Sequence, residues 1–188
     1  VSSASHGYFA GGQDYGGPAP NPVLSRVDRI DYNNDTATAL AKGPLTGARY
    51  ALAGTGNQSF GYFGGGSTPT YLSVVDRIDY SNDTATASPK GNLSDTHSFF
   101  AAMGNQSFGY FAGKWTSNSK VDRVDYSNDT ATATPKGPVN EGADRSAAAG
   151  NLDFGYITGG ERNQPSKSTW VDRIDYSNDT ATALRKGH

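Results

Sequence analysis

The chain has 188 residues, a net charge of −2 and no cysteine, and it is rich in glycine and aromatic residues. These values exclude a disulfide framework and a cysteine-ligated zinc site, and they provide no basic surface of the kind that nucleic-acid binding requires. No segment is long and apolar enough to span a membrane, so we predict neither nucleic acid nor membrane as a partner.

The chain is a tandem repeat. The phrase VDRIDY, or VDRVDY in one copy, is followed each time by SNDTATA or NNDTATA, and a Gly-Tyr phrase precedes it. The VDR phrases begin at Val27, Val75, Val121 and Val171. A period of about 50 residues is typical of an array in which each unit packs against its neighbours. We therefore predict one domain, 1–188, with four repeats at approximately 1–48, 49–96, 97–142 and 143–188.

Each full repeat contains four short β-prone runs separated by glycine or Asn-Asp turns. In the second repeat these runs, which we call strands A to D, are residues 49–56, 59–65, 74–80 and 84–88. A four-stranded antiparallel meander of this length is one propeller blade. Small residues at the end of strand A suit a crowded ring axis, whereas Thr-Ala-Thr-Ala followed by lysine suits a solvent edge for strand D. The predicted fold is an all-β β-propeller.

The four repeats do not contain a whole number of strands. Residues 1–6 align with residues 55–60, so the first repeat starts at strand B, while residues 184–188 follow the last strand D. One inner strand is therefore missing, which leaves an unpaired strand edge. Completion by a second copy or by a longer chain, and a rearrangement of residues 1–4 into the open position, both remain alternatives.

Two resemblances follow from these phrases. The glycine pair that ends strand B, the V-x-x-[IV]-D-Y strand C and Arg49 near the start of strand A resemble the kelch repeat, which implies a β-propeller. The phrases GYFGGG, DRIDYSNDTATA and KGPL resemble repeats of structural proteins from marine tailed bacteriophages, which implies a virion or extracellular location and self-association or other virion proteins as partners. The chain departs from kelch where no tryptophan follows strand C, and where His97 and Ala143 replace Arg49.

The divergent connections carry the candidate binding residues. The A-to-B and C-to-D turns are nearly constant among the repeats, whereas the B-to-C and D-to-A connections differ, and strand alternation places the two sets on opposite faces of the disc. The B-to-C connections contain the candidate anchors Tyr15, Tyr71, Trp115 and Trp170. Exposed aromatic side chains stack on sugar rings or anchor protein partners. Drift in unconstrained loops is the alternative interpretation.

The repeated charges have a structural and a metal-binding interpretation. We expect Asp28, Arg29, Asp31 and their counterparts to pair within or between blades, because blades stack on both faces. Catalysis is disfavoured, since four equivalent carboxylate pairs would demand four active sites. A D-x-[NS]-x-D pattern makes Asp31, Asp35, Asp79 and Asp83 weak calcium candidates. The pattern lacks the glycine and glutamate that complete an EF-hand loop, and an Asx-stabilised turn is the alternative. We predict no cofactor.

The sequence thus predicts a non-enzymatic phage virion or appendage propeller, structural or host-attaching, whose variable loops form a binding face. A surface glycan is the candidate ligand. The alternative is a soluble carbohydrate-binding propeller lectin, and an intracellular kelch-like scaffold ranks third because no adaptor domain accompanies the repeats.

Overall fold

The chain folds into consecutive antiparallel sheets. The computed structural model describes residues 1–16, 20–113, 119–142, 144–162 and 166–187. Four sheets follow one another along the chain, and we call them blades 1 to 4. Within each blade the strands are hydrogen-bonded in chain order, which is the meander of a propeller blade. The predicted all-β propeller is therefore confirmed, and no helix in the described part of the chain could cross a membrane.

Blade 1 has three strands and each of the other blades has four. Blade 1 contains β1 (His6–Ala10), β2 (Val27–Asp31) and β3 (Leu40–Lys42). Blade 2 contains β4 (Ala53–Gly56), β5 (Phe60–Gly64), β6 (Val75–Asp79) and β7 (Ser88–Lys90), and blade 3 contains β8 (Ala101–Gly104), β9 (Phe108–Ala112), β10 (Val121–Asp125) and β11 (Thr134–Lys136). Blade 4 contains β12 (Ala147–Gly150), β13 (Phe154–Thr158), β16 (Val171–Asp175) and β17 (Leu184–Gly187). Between β13 and β16 the chain forms a separate hairpin of β14 (Glu161–Arg162) and β15 (Ser166–Lys167).

The inner strands of neighbouring blades pack closely, as the small residues of strand A predict. Strand β8 contacts both β4 and β12. A Cβ atom added to Gly104 would lie 2.8 Å from the Thr55 hydroxyl oxygen, so no larger residue fits there without a shift. The buried apolar side chains form three clusters, one at each joint between consecutive blades.

Blade 1 has only the end of an inner strand. The Val1 amino group donates to the Tyr8 carbonyl at 3.0 Å, the Tyr8 N–H donates to the Val1 carbonyl at 2.8 Å, and Ser2 pairs with Gly7. In blade 2, residues 55 and 56 make the equivalent pairs. The alignment of residues 1–6 with the end of strand A is therefore confirmed, and two residues partly fill the open position.

Strand D begins later than predicted. The prediction placed strand D at residues 84–88, but β7 starts at Ser88, after a 3-10 helix at Tyr80–Asn82 and an irregular segment. Equivalent 3-10 helices lie at Tyr126–Asn128 and Tyr176–Asn178. Ala87 is buried, and its N–H donates to the Pro44 carbonyl at 2.8 Å. A Cβ atom on Gly43 would lie 1.8 Å from the backbone of this segment. The Thr-Ala-Thr-Ala phrase therefore seals a joint between blades instead of forming a solvent edge.

Candidate functional site: the variable face of the propeller

The B-to-C and D-to-A connections meet on one side of the disc, which we call the variable face. The Leu45 N–H donates to the Ser25 carbonyl at 2.8 Å, and Leu72 pairs with His97 as an isolated bridge. The A-to-B turns contact one another on the other side, where the Asn105 side chain donates to the Leu152 carbonyl at 3.2 Å. The antiparallel order of the strands thus gathers the divergent B-to-C and D-to-A connections on one surface.

A shallow pocket opens on the variable face at the joint between blades 2 and 3. Its volume is about 550 Å³. Three aromatic rings contribute to its wall, and the lining residues are Tyr50, Ser67, Pro69, Thr70, Tyr71 and Phe99. The pocket therefore combines apolar rings with a few polar groups, which is the usual composition of a small-ligand site.

A tight backbone arrangement holds the Tyr50 and Tyr71 side of the pocket. Tyr50 and Ser67 exchange backbone hydrogen bonds of 3.2 and 2.9 Å, and Ser67 also bridges to Tyr71. The Ser67 hydroxyl donates to the Pro69 carbonyl at 3.3 Å, and Ser67 is fully buried. These bonds fix the conformation of the 67–71 turn.

Phe99 reaches the pocket through a strained backbone. Its φ is 56°, and the equivalent residues of the neighbouring repeats, Ala51 and Arg145, have φ of 54° and 53°. A residue other than glycine in this region costs about 1–3 kcal/mol. The Phe99 N–H donates to the Ala51 carbonyl at 3.0 Å, and the Arg145 N–H donates to the Phe99 carbonyl at 2.6 Å. The Phe99 ring meets the Tyr50 ring edge-on, with centroids 6.0 Å apart.

The three predicted anchors within the described residues, Tyr15, Tyr71 and Trp170, do not line one pocket. Tyr71, which is 38% exposed, lines the pocket, whereas Tyr15 is 72% exposed and lies outside it. Trp170 is partly buried in blade 4, where the Arg185 guanidinium lies 4.0 Å from the centre of its ring. Trp115 lies outside the described residues. Of the predicted anchors that the structure describes, Tyr71 is the one that lines this pocket.

Sequence reasoning missed Tyr50 and Phe99. Both lie in D-to-A connections, whose divergence was recognised, but neither aromatic residue recurs at its position in the next repeat, where Ser98 follows Tyr50 and Arg145 follows Phe99. A usable signal was present in the sequence. An aromatic residue directly before an inner strand must lie near the ring axis on the variable face.

The repeated acidic residues belong to the joints between blades. Asp83 accepts hydrogen bonds from the Tyr8 hydroxyl at 3.0 Å and from Arg29 at 2.8 Å, and Lys42 lies 3.1 Å away, all from blade 1. We call this arrangement a clamp. It recurs at Asp129 with Tyr62, Arg77 and Lys90, and at Asp179 with Tyr110, Arg123 and Lys136. The prediction that the charges of the VDRIDY strands pair within or between blades is confirmed for Arg29, Arg77 and Arg123. It is wrong for Asp79 and its equivalents, which cap the 3-10 helices instead.

The clamp shifts the pKa values of its members in opposite directions. Burial opposes ionisation of Asp83, but the hydrogen bonds from Lys42, Tyr8 and Arg29 outweigh it and hold the pKa of this carboxyl below its usual range. Burial, together with the hydrogen bond to Asp83, raises the pKa of Tyr8 to about 12. At neutral pH the clamp at Asp83 is therefore a carboxylate surrounded by protonated donors.

A second set of buried carboxylates binds the D-to-A connections. Asp76 accepts hydrogen bonds from the Thr46 N–H at 3.0 Å and from the Arg49 guanidinium at 2.8 Å. In the same way, Asp122 accepts a hydrogen bond from the Ser94 N–H at 2.8 Å, and Asp172 accepts one from the Asn140 N–H at 2.9 Å. Arg49, the residue of the kelch resemblance, is thus a joint residue.

The calcium candidates are separated by the fold. The Asp79 carboxylate accepts from the Ser81 N–H at 2.9 Å and caps the following 3-10 helix, whereas Asp83 belongs to the clamp. Asp31 accepts from the Asn33 N–H at 2.9 Å, and Asp35 is exposed. Among the described residues, no group of three or more His, Asp or Glu side chains is placed to hold a metal ion. The D-x-[NS]-x-D pattern therefore describes a helix cap followed by a clamp residue.

Comparisons with known proteins support the fold. No protein-family model matches the sequence, and no curated protein matches it either. The chain is similar to a solved structure described as "Structure of YjhT", with a TM-score of 0.77 and 11% sequence identity over 100% of this chain and 70% of that one. At this identity the likeness is one of fold, and it agrees with the β-propeller described above.

Proposed function

We propose that the chain is a non-enzymatic binding propeller of a tailed-phage virion or appendage, and that its variable face attaches to a surface glycan. The observation that carries this proposal is the aromatic pocket of about 550 Å³ on the face where the repeats diverge. The resemblance of the repeat phrases to phage structural proteins, and their kelch-like pattern, support a propeller on the surface of the particle, with other virion proteins as neighbours.

The composition of the pocket favours a sugar. Aromatic rings stack against the apolar face of a pyranose, and hydroxyl groups at the edge of the site bind its hydroxyls. Tyr50, Tyr71 and Phe99 supply rings, and the Thr70 side chain lies beside them. A shallow site of this kind binds one sugar weakly, and repeated copies on a particle raise the effective affinity.

The carboxylates favour binding over hydrolysis. Glycosidases place two carboxyl groups on either side of the scissile bond. Here Asp76 and Asp83 and their buried equivalents accept hydrogen bonds within the joints, and no aspartate is among the residues that line the pocket. This supports a role as structural acceptors.

The test is a glycan array that includes bacterial surface polysaccharides, followed by calorimetry on the glycans that bind. Tyr50→Ala and Tyr71→Ala should each weaken binding about thirtyfold, the typical effect of removing an aromatic anchor. Tyr15→Ala is the matched control, since Tyr15 is more exposed and lies outside the pocket. Equal loss in all three variants, or no loss at Tyr50 and Tyr71, would argue against this site.

The alternative, a soluble carbohydrate-binding lectin, uses the same pocket. Quantitative mass spectrometry of purified virions separates the two. A stoichiometric presence in the particle supports the appendage protein, whereas recovery only in the particle-free fraction supports the lectin.

A further inference from the structure

The clamp is formed three times inside the chain, and its two halves remain apart at the ends of the array. Blades 1, 2 and 3 each present tyrosine, arginine and lysine donors to an aspartate of the following blade. Blade 4 has the same donors, and blade 1 has the same aspartate, yet no hydrogen bond or ion pair joins these two groups within the described part of the chain.

The outer face of blade 4, which we call the donor face, is preset for a clamp. Its donors are Tyr156, Arg173 and Lys186. The Arg173 guanidinium lies 4.3 Å from the centre of the Phe154 ring, as the clamp arginine Arg77 lies 4.2 Å from the Phe60 ring. Tyr156 is only partly buried and Lys186 is exposed, whereas their counterparts within the joints are covered. Tyr156 and Arg173 pair in the register of their counterparts, so they are placed as in a joint that lacks its second blade. Lys186 departs from the lysine position of the other blades, because a β-bulge sets Val171 opposite Gly187.

The outer face of blade 1, which we call the acceptor face, carries the other half. Asp35 occupies the repeat position of Asp83 and is exposed. Tyr32 packs over Gly7, where an added Cβ would lie 2.9 Å from its hydroxyl, in the way that Tyr80 packs over a glycine of blade 2. Phe9 is 62% exposed, whereas Phe63 at the same position of blade 2 is 4% exposed. The acceptor face therefore exposes to solvent the aromatic side chains whose counterparts in blades 2 to 4 pack against the preceding blade.

We propose that a second copy of this chain docks its acceptor face on the donor face of the first. Asp35 of one copy then accepts hydrogen bonds from Tyr156, Arg173 and Lys186 of the other. Tyr32 stacks on Tyr156 with the geometry of the internal pairs, whose ring centroids are 4.5 to 4.8 Å apart. The charges of the two faces are complementary, with one carboxylate against two cations, and both halves of the joint come from one sequence.

The two faces lie at opposite ends of the array, so the contact is head-to-tail. A head-to-tail contact closes into a ring if the rotation allows it and otherwise propagates. Two copies of the four-blade array would give eight blades, which is within the range of known propellers. This inference concerns assembly and does not depend on the proposed glycan site.

The experiment is sedimentation velocity of the 188-residue chain over a wide range of concentrations. We expect the wild type to shift from the 19.7 kDa monomer to a dimer or larger species. Asp35→Arg removes the acceptor and Arg173→Glu removes a donor, and each variant alone should raise the dissociation constant about thirtyfold or more. An equimolar mixture of the two variants should associate again, because each supplies the intact face that the other lacks.

Matched controls use the same charge changes away from both faces, at the exposed residues Asp153 and Lys167. Asp153→Arg and Lys167→Glu should associate like the wild type. Arg173→Gln and Asp35→Asn, which remove a charge without reversing it, are milder variants in case either charge reversal unfolds the chain, and circular dichroism reports on folding. Association that survives both charge reversals, or a wild type that stays monomeric at all concentrations, would overturn the proposal. The second outcome would leave additional blades from another chain segment as the occupant.

Discussion

The clamp at Asp129, between blades 2 and 3, offers the most direct test of what stabilises the contact between blades. Asp129 accepts a hydrogen bond of 2.9 Å from Tyr62, and its carboxylate pairs with Arg77 at 2.8 Å and with Lys90 at 3.3 Å. Asp129→Asn keeps the size of the side chain but removes its charge. It also turns an amide N–H group toward at least one of the two cations.

The expected loss of stability is about 3 kcal/mol. Breaking a buried ion pair by removing one partner costs about 3–5 kcal/mol. The Arg77 side chain is 24% exposed and the Lys90 side chain 11%, so both cations recover some hydration and the loss falls at the lower end of that range. With a urea m-value of about 2 kcal/mol/M, the midpoint of unfolding should fall by about 1.5 M.

The assay is urea unfolding followed by circular dichroism and tyrosine fluorescence, at a concentration where sedimentation shows a monomer. Asp35→Asn is the matched control, because Asp35 has the same repeat position and is exposed. It should leave the midpoint unchanged. Equal shifts in the two variants, or a changed m-value in Asp129→Asn, would refute the assignment of this stability to the clamp.

Three further predictions follow from local geometry. Gly43→Ala should destabilise the fold by about 3 kcal/mol or more, because the added Cβ would lie 1.8 Å from backbone, whereas Gly47→Ala, with nothing within 4 Å, should be tolerated in thermal unfolding. The raised pKa of Tyr8, about 12, means that its contribution to stability is complete below pH 10 and is lost as the pH rises toward 12, and Tyr8→Phe should reduce this loss in alkaline titrations followed by circular dichroism. Ala51→Gly should raise the thermal midpoint by about 2 °C, because glycine adopts a φ of 54° without strain.

Much of the architecture could be predicted because its signals are local. The VDRIDY and Gly-Tyr phrases mark strands C and B by alternation and by the glycines that end them, so blade count, strand order and the absent inner strand followed from reading the chain. The placement of the constant and the divergent connections on opposite faces could also be predicted, since antiparallel strands alternate in direction. The predicted start of strand D was wrong because Thr-Ala-Thr-Ala has strand propensity, whereas in the structure Ala87 is buried in the joint with the preceding blade.

The sequence by itself thus determined the repeats, the blades and the face on which they diverge. Tertiary structure decided which residues meet. Tyr8 and Asp83 are 75 positions apart, and nothing in either repeat alone pairs them. Tyr50, Tyr71 and Phe99 form one pocket only because three connections, two D-to-A and one B-to-C, converge on the variable face. The physical reason is that strand and turn formation depends on neighbours in the chain, whereas a clamp or a pocket depends on how one blade packs against the next.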